Sequence, residues 1–438
     1  MTNKIRRLES SKIFCMAPWV HLFNLPNGDI QPCCVSLNGP VGNLYQTDVE
    51  EIWNNKEYKQ IRQDMLADVP SPHCTRCYKE EEWGNTGTLR KQFNLDFSEQ
   101  YDELITDDTG YASQLSLLRW DFRFSNFCNL ACIGCSPEYS STWAALKKTM
   151  DPEFKEIQFK DSKQSKDKFI NIIKTQAGQV KKVYFAGGEP LIQPEHYEIL
   201  EEIKNLNRLD QIDFTYSTNL TTLDYKSINI IDYWSKMKKL RVLVSIDEVI
   251  VDRLYYIRYP SDLTKLVNNI KLLNSRLTDI GQDWVITPTW SIMNMHRMKE
   301  ILNFFLENDL LPHTFYNSYI WEYDVHNIIL MGPERLAVSG APTEWKKYIH
   351  CKLDEYRDWY INTLIPLKNK ELQQHSVNVI TTTVERFHKA VNETNTATTE
   401  DRLNWITTLD TARGTDFVKT FPELEIIVKD AYDLARKT

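Results

Sequence analysis

Apolar and polar positions change their period along the chain in three blocks. In the first, two short apolar runs, Val20 to Leu25 and Ile30 to Val35, flank the turn signal Asn27-Gly-Asp29 and predict a hairpin. Val41-Gly-Asn-Leu44 and Val49-Glu-Glu-Ile-Trp53 then lead into a helical stretch that runs to about Leu66. A polar segment rich in Asp, Thr and Glu, Asp96 to Gly110, reads as a linker closing an N-terminal domain of residues 1–95. In the second block, residues 112–320, apolar strand candidates alternate with helical patterns. The strands are Leu115 to Phe124, Val180 to Ala186, Ile212 to Tyr216, Leu240 to Ile246 and Trp284 to Trp290. The helices are Lys168 to Thr175, His196 to Leu206, Leu263 to Leu273 and Met298 to Phe305. Such alternation implies parallel strands joined by right-handed crossovers. The units fall short of a closed eight-stranded barrel, so the expected fold class is α/β, an open partial barrel of about six β/α units. In the third block, residues 321–438, the pattern turns helical, with Trp345 to Leu364 and Val377 to Val391 the longest stretches, and no internal repeat is visible.

Composition narrows the function classes. A chain of 438 residues has room for two or three domains and a large core. Its net charge of −8 argues against general affinity for nucleic acid. The lysines between Lys147 and Lys182 are interleaved with Asp151, Glu153, Glu156, Asp161 and Asp167 and read as a solvated helical surface. No apolar run approaches the length of a membrane span, and Met1-Thr-Asn-Lys-Ile-Arg-Arg7 is followed by no apolar secretory core. Nine cysteines clustered at ligand spacing therefore point to reduced thiols and a cytoplasmic location rather than to disulfides.

Cys128, Cys132 and Cys135 form a C-x3-C-x2-C run at the C-terminal end of a predicted strand. Three thiolates converging on one point leave a coordination position open, which is what a reactive centre needs and a structural one does not. At these residues the chain resembles the radical S-adenosylmethionine (radical SAM) enzymes, whose defining motif has this spacing. Val183-Tyr-Phe-Ala-Gly-Gly-Glu-Pro190 is similar to the family's second strand and GGEP motif. The resemblance implies that Gly187, Gly188, Glu189 and Pro190 contact S-adenosylmethionine (SAM), with Glu189 facing the methionine ammonium. It also implies that Ser217, Asn219 and Ser245 face its ribose or carboxylate, and that Arg258 pairs with the carboxylate. Where the family places an aromatic residue just before the third cysteine to pack on adenine, this chain has Gly134, leaving Ile133 or Phe127 to supply an apolar face.

A second set, Cys15-x12-Gly28-x4-Cys33 followed by Cys74-x2-Cys77, resembles the SPASM/twitch auxiliary iron-sulfur module, here ahead of the barrel rather than behind it. Cys34 competes with Cys33 for the fourth ligand place; Cys33 is preferred because neighbours along a strand arm point to opposite faces. Four thiolates on one cluster leave no open iron, so this site is expected to be structural or to transfer electrons.

Together the resemblances imply two 4Fe-4S clusters and SAM as cofactors, and an electron donor such as flavodoxin or ferredoxin. The reaction would form a 5'-deoxyadenosyl radical that abstracts hydrogen from a substrate, expected to be a peptide or protein. A small-molecule dehydrogenase of sugar or cyclitol type is the alternative within enzymes, and an iron-sulfur or zinc relay protein the alternative outside them. Spacing does not identify the metal, and four cysteines also suit structural zinc. Cys351 and His350 stand apart and read as a spare thiol and its neighbour.

Overall fold

The computed structural model describes residues 3–429 apart from 37, 106, 124, 156–166, 168–170, 173, 278–282, 319–320, 322–324, 327 and 331. The predicted helix Lys168 to Thr175 and much of the lysine-rich surface therefore lie partly outside the described residues. Contacts divide the chain into two compact units, Met1–Asn126 with Ile157–Tyr216 and Lys236–Leu240, and Phe127–Glu156 with Ser217–Ser235 and Arg241–Thr438. This division differs from the expected boundaries at 95, 112 and 320.

The first unit shows why. Its strands are β1 (His21–Asn24), β2 (Asp29–Gln31), β3 (Gly42–Asn43), β4 (Arg119–Phe122), then β6 (Lys182–Phe185) and β7 (Asp213–Thr218), after β5 (Ala131–Cys132) of the second unit. They are ordered β7-β6-β4-β1-β2-β3. The expected hairpin is present as β1–β2, turning at Gly28, whose φ is +85°. A Cβ there would stand 2.4 Å from the Tyr45 ring, so both conformation and space demand glycine. β1 then pairs in parallel with β4, His21 opposite Arg119. The N-terminal hairpin thus continues the parallel sheet β4-β6-β7 instead of forming a detached domain. The expected linker is packed accordingly: a helical turn at Ser98–Gln100 and the helix Tyr101–Leu104 follow Asp96, with Phe97, Tyr101 and Leu104 buried. Polar composition misled there because the few apolar side chains are the ones that anchor it.

Strand alternation sorts the side chains of this sheet into two rows. Leu22, Trp120, Val183 and Phe214 are cross-strand neighbours, all buried, and form its apolar face. Phe23, Asp121, Tyr184 and Thr215 form the row on the opposite face, where a buried charge is placed.

In the second unit β8 (Asp224–Tyr225) and β9 (Ile228–Asn229) form a small hairpin, and the end of β10 (Lys239–Val244) pairs in parallel with β12 (Asp283–Ile286). β11 (Arg258–Tyr259) pairs antiparallel with β5, and β13 (Thr289–Trp290) pairs in parallel with β14 (Ile328–Ile329). The single predicted strand Trp284 to Trp290 is thus two. The predicted C-terminal helices are present as Thr343–Trp359 and Lys370–Val391, and a further helix, Thr399–Arg413, follows. It starts at a reciprocal capping box between Thr398 and Asp401 and stops at Gly414, in the left-handed region at φ +65°. The fold class is α/β with a mainly parallel, partial-barrel sheet and a helical C-terminal region. Among the described residues no helix is long and apolar enough to cross a membrane.

Candidate functional site

Four of the nine cysteines gather in the first unit. Cys15 lies just ahead of the short helix Ala17–Val20, and Cys74 and Cys77 bracket the start of the helix Thr75–Glu82. Cys33 is not on the strand arm as expected: β2 stops at Gln31, because Pro32 has no N–H to give the ladder, and Cys33 and Cys34 occupy the turn that follows. The two thiols stay electrostatic neighbours of each other, yet the turn gives them different further partners. Cys33 has Cys74 and Cys77 as electrostatic neighbours, as does Cys15. Cys34 instead meets Asp121 in a hydrogen bond, beside Arg123 and Arg119.

Burial raises the pKa of every thiol in the group, well above the usual range for Cys15 and Cys33 and up to about 12 for Cys74, and the thiols push one another further. Opposing this, each sulfur meets polar donors. The Ala17 amide points at Cys15 Sγ over 3.4 Å, the Val35 amide serves Cys33, the hydroxyls of Tyr78 and Ser71 serve Cys74, and the Arg90 amide serves Cys77. Arg90 itself is buried, ion-paired to Glu81 and bonded to the carbonyls of Ser11 and Phe14. Buried thiols wrapped in N–H and O–H donors suit an iron-sulfur cluster, whose sulfurs are stabilised in this way. His73 is not a rival ligand, since its ring nitrogens face Ser36 Oγ at 3.0 Å and Asn38 Nδ2 at 3.3 Å. Among the described residues no group of three or more His, Cys, Asp or Glu side chains is tight enough for a single metal ion.

The first unit also contains the GGEP loop. Gly187 and Gly188 follow β6 with φ of +82° and +57°. A Cβ on Gly187 would stand 2.4 Å from Arg123 Cδ, so side-chain methylenes fill that space. Glu189 is buried and its Oε1 accepts from the Leu191 amide at 3.1 Å, capping the turn Pro190–Ile192, while Gln193 Nε2 donates to Gly187 O at 2.9 Å. Arg123 links this loop to the cysteine turn: it pairs with Asp121 at 2.9 Å, lies over the rings of Phe23 and Tyr184, and Asp121 receives Cys34. Sequence reading missed this chain of contacts; Asp121 and Arg123, two apart on one strand, were its only signal.

In the second unit, the N-terminal turn of the helix Ser141–Met150 holds the loop of Cys128, Cys132 and Cys135. Ser141 and Thr142 hydroxyls donate to Cys128 O, and the Trp143 indole donates to Cys132 O at 2.8 Å. The Cys135 amide closes a turn on Cys132 O at 3.0 Å, and the two thiols are electrostatic neighbours. Cys128 Sγ faces the Leu130 amide at 3.5 Å and Asn219 Nδ2 at 3.9 Å, and Cys132 Sγ faces Arg258 Nη1 at 3.8 Å. Burial lifts the Cys135 thiol to about 12 and raises that of Cys132, against the pull of Arg258 and Arg413. These buried sulfurs, supplied with donors and cations, again suit an iron-sulfur cluster.

Of the remaining expected SAM contacts of this unit, the Asn219 and Arg258 side chains are engaged by protein groups. Asn219 donates to Asn129 Oδ1 at 3.0 Å and accepts from Thr221. Arg258 Nε pairs with Asp247 Oδ2 at 2.7 Å, and the Ser245 amide donates to Thr218 O at 2.9 Å. Ser217 is half-buried. Of the two apolar candidates near Gly134, Ile133 is buried and Phe127 is 50 % exposed. A residue not foreseen, Leu330, has Cδ1 3.4 Å from where a Gly134 Cβ would be and occupies that space.

Comparison with known proteins matches two stretches of the chain to family profiles. The radical SAM superfamily profile matches residues 122–305, and that of an iron-sulfur cluster-binding domain, SPASM, matches residues 15–78. Among curated proteins, the GTP 3',8-cyclase of Listeria welshimeri is 28 % identical over 147 residues, 33 % of this chain and 38 % of that protein. A Listeria monocytogenes GTP 3',8-cyclase is 27 % identical over 146 residues, again 38 % of its length, so the chain spans well under half of these relatives. Among solved structures, Streptococcus suis SuiB bound to precursor peptide SuiA aligns with TM-score 0.32 at 16 % identity, covering 54 % of this chain and 50 % of that one. Native anSMEcpe with bound AdoMet aligns with TM-score 0.35 at 17 % identity, covering 54 % and 59 %. Residues 122–305 are thus similar to the radical SAM superfamily and residues 15–78 to the SPASM iron-sulfur module, matches that support iron-sulfur clusters and SAM as cofactors.

Proposed function

We propose that this chain is a cytoplasmic radical SAM enzyme that oxidises or crosslinks a peptide or protein, with Cys128, Cys132 and Cys135 holding the reactive cluster and Cys15, Cys33, Cys74 and Cys77 the auxiliary one. When bound, the reactive cluster with SAM supplies a 5'-deoxyadenosyl radical that takes hydrogen from an unactivated carbon. The observation that carries the reading is the separation of the nine cysteines into a buried to half-buried group of four, a buried to half-buried run of three and two left over, Cys34 against Asp121 and the exposed Cys351.

The protein's residues have distinct tasks in this reading. Asn219 and Arg258 orient Cys128 and Cys132 through their sulfurs, Asp247 fixes Arg258, and Leu330 supplies the apolar surface that the aromatic residue of relatives would give adenine. Gly187 and Gly188 let backbone approach SAM, and Glu189 provides the carboxylate for its ammonium. Cys15, Cys33, Cys74 and Cys77 would hold an auxiliary cluster able to take up the electron that an oxidised product loses, and a flavodoxin or ferredoxin would be the external donor. A peptide or protein is the first reading of the substrate, although the SPASM module restricts the chemistry more than the substrate. A small-molecule substrate is the second reading, favoured by the GTP 3',8-cyclase relatives. Anaerobic incubation of the reconstituted protein with SAM and reductant, against peptide and small-molecule fractions of cell extract, separates them. A peptide lighter by two hydrogens or newly crosslinked in the mass spectrum supports the first reading, and change confined to small molecules supports the second.

A further inference from the structure

The C-terminal helix Thr399–Arg413 delivers its last residue to the reactive cysteine loop. Arg413 is 7 % exposed. Its Nη1 donates to Tyr256 O at 3.0 Å, and its Nη2 donates to Ala131 O, the carbonyl immediately before Cys132. The guanidinium lies 4.9 Å from the Tyr259 ring centroid and 5.6 Å from that of Trp143, whose indole holds the Cys132 carbonyl. Among the described residues no carboxylate pairs with it; Asp410 acts on it only from a distance while capping Thr415 and Phe417. Arg258, the other cation of this loop, is by contrast neutralised by Asp247. A buried, unpaired guanidinium is costly unless a negative partner stands nearby, and its electrostatic neighbours include the Cys132 thiol.

We propose that Arg413 is a positioning and potential-setting residue of the reactive cluster: its charge offsets the negative thiolate-bound cluster and favours the reduced form, making the C-terminal region part of the redox site. This rests on the cluster assignment above. Cluster potential follows net charge, hydrogen bonding and burial around the sulfurs, and a cation held at the loop without its own counter-ion acts through the first of these. The bond to Ala131 O also fixes the backbone that presents Cys132.

The test is a redox titration of the anaerobically reconstituted full-length protein, followed by electron paramagnetic resonance of the cluster whose signal changes on adding SAM. Arg413→Met removes the charge with little loss of volume; Arg413→Gln is a second neutral variant that keeps a donor; Arg413→Lys keeps the charge. Both neutral variants should become harder to reduce by about tenfold in the reduction equilibrium, about 59 mV for one electron. Arg413→Lys should stay near wild type, and the SAM-insensitive cluster should not move in any variant. Loss of the SAM-sensitive cluster in the neutral variants but not in Arg413→Lys would also support a compensating charge. An unchanged potential in the neutral variants, a fall in Arg413→Lys as large as in Arg413→Met, or loss of the cluster in all three would overturn the proposal. A wild-type protein with two clusters and none responsive to SAM would overturn the cluster assignment itself.

Discussion

The two cysteine sites differ in where their supporting groups come from. Around Cys15, Cys33, Cys74 and Cys77 the donors are close in sequence: the amides of Ala17 and Val35 lie two residues from a cysteine, and Ser71, Tyr78 and Arg90 lie within about twenty. Around Cys128, Cys132 and Cys135 local donors, the Leu130 amide and the side chains of Ser141, Thr142 and Trp143, are joined by distant ones: Asn219, Arg258 and Arg413 arrive from well-separated parts of the chain. The four-thiol site is self-contained, which suits a closed, relay-type cluster. The three-thiol site recruits side chains from the rest of its unit, as expected where an open position and a tuned potential are required.

The contrast can be broken in order of effect. Replacing Cys128, Cys132 and Cys135 by Ala should remove SAM cleavage altogether, measured as 5'-deoxyadenosine after reduction; residual cleavage would move the reactive centre elsewhere. Replacing Cys74 and Cys77 by Ala should leave 5'-deoxyadenosine formation in place while abolishing substrate product. If a folded double variant lost cleavage as well, the four-thiol site would not be auxiliary.

Smaller effects test the SAM contacts. Gly187→Val meets a left-handed φ and the Arg123 methylenes at once, strain on the order of 1–3 kcal/mol, and should weaken SAM binding in calorimetry while iron content persists. Glu189→Gln keeps the shape and loses one charge-assisted contact, worth roughly 1.5–3 kcal/mol, or about ten- to a hundredfold in affinity. Normal SAM affinity in both variants would make this loop a plain turn. The smallest effect sharpens the auxiliary ligand choice: Cys33→Ala should lower iron content, and Cys34→Ala should leave it near wild type, because Cys34 faces Asp121. The reverse order would exchange the two assignments.

The same contrast explains what could be read from sequence. The local site was legible because its parts are short-range: cysteine spacing, the Asn27-Gly-Asp29 turn and the helix after Val49 all lie within one stretch. The parallel pairing of β1 with β4 was not, since about a hundred residues separate them and periodicity carries no information about which strands meet. Side-chain direction at Cys33 and Cys34 was inferred from strand alternation, although Pro32 ends the strand first. Arg413 had a weak signal, a capping box at Thr398 to Asp401 and a stop at Gly414 that mark a helix; nothing in the sequence says where such a helix end lands.

The most direct measurement is iron and acid-labile sulfide per chain in anaerobically reconstituted wild type, in the Cys128/Cys132/Cys135 triple Ala variant and in the Cys74/Cys77 double Ala variant. Two independent 4Fe-4S sites require about eight irons in the first and about four in each of the others, with the SAM-dependent change in the electron paramagnetic resonance signal retained only when the three-cysteine loop is intact. A triple variant that keeps its full iron, or a four-thiol site that binds zinc and no sulfide, would contradict the assignment.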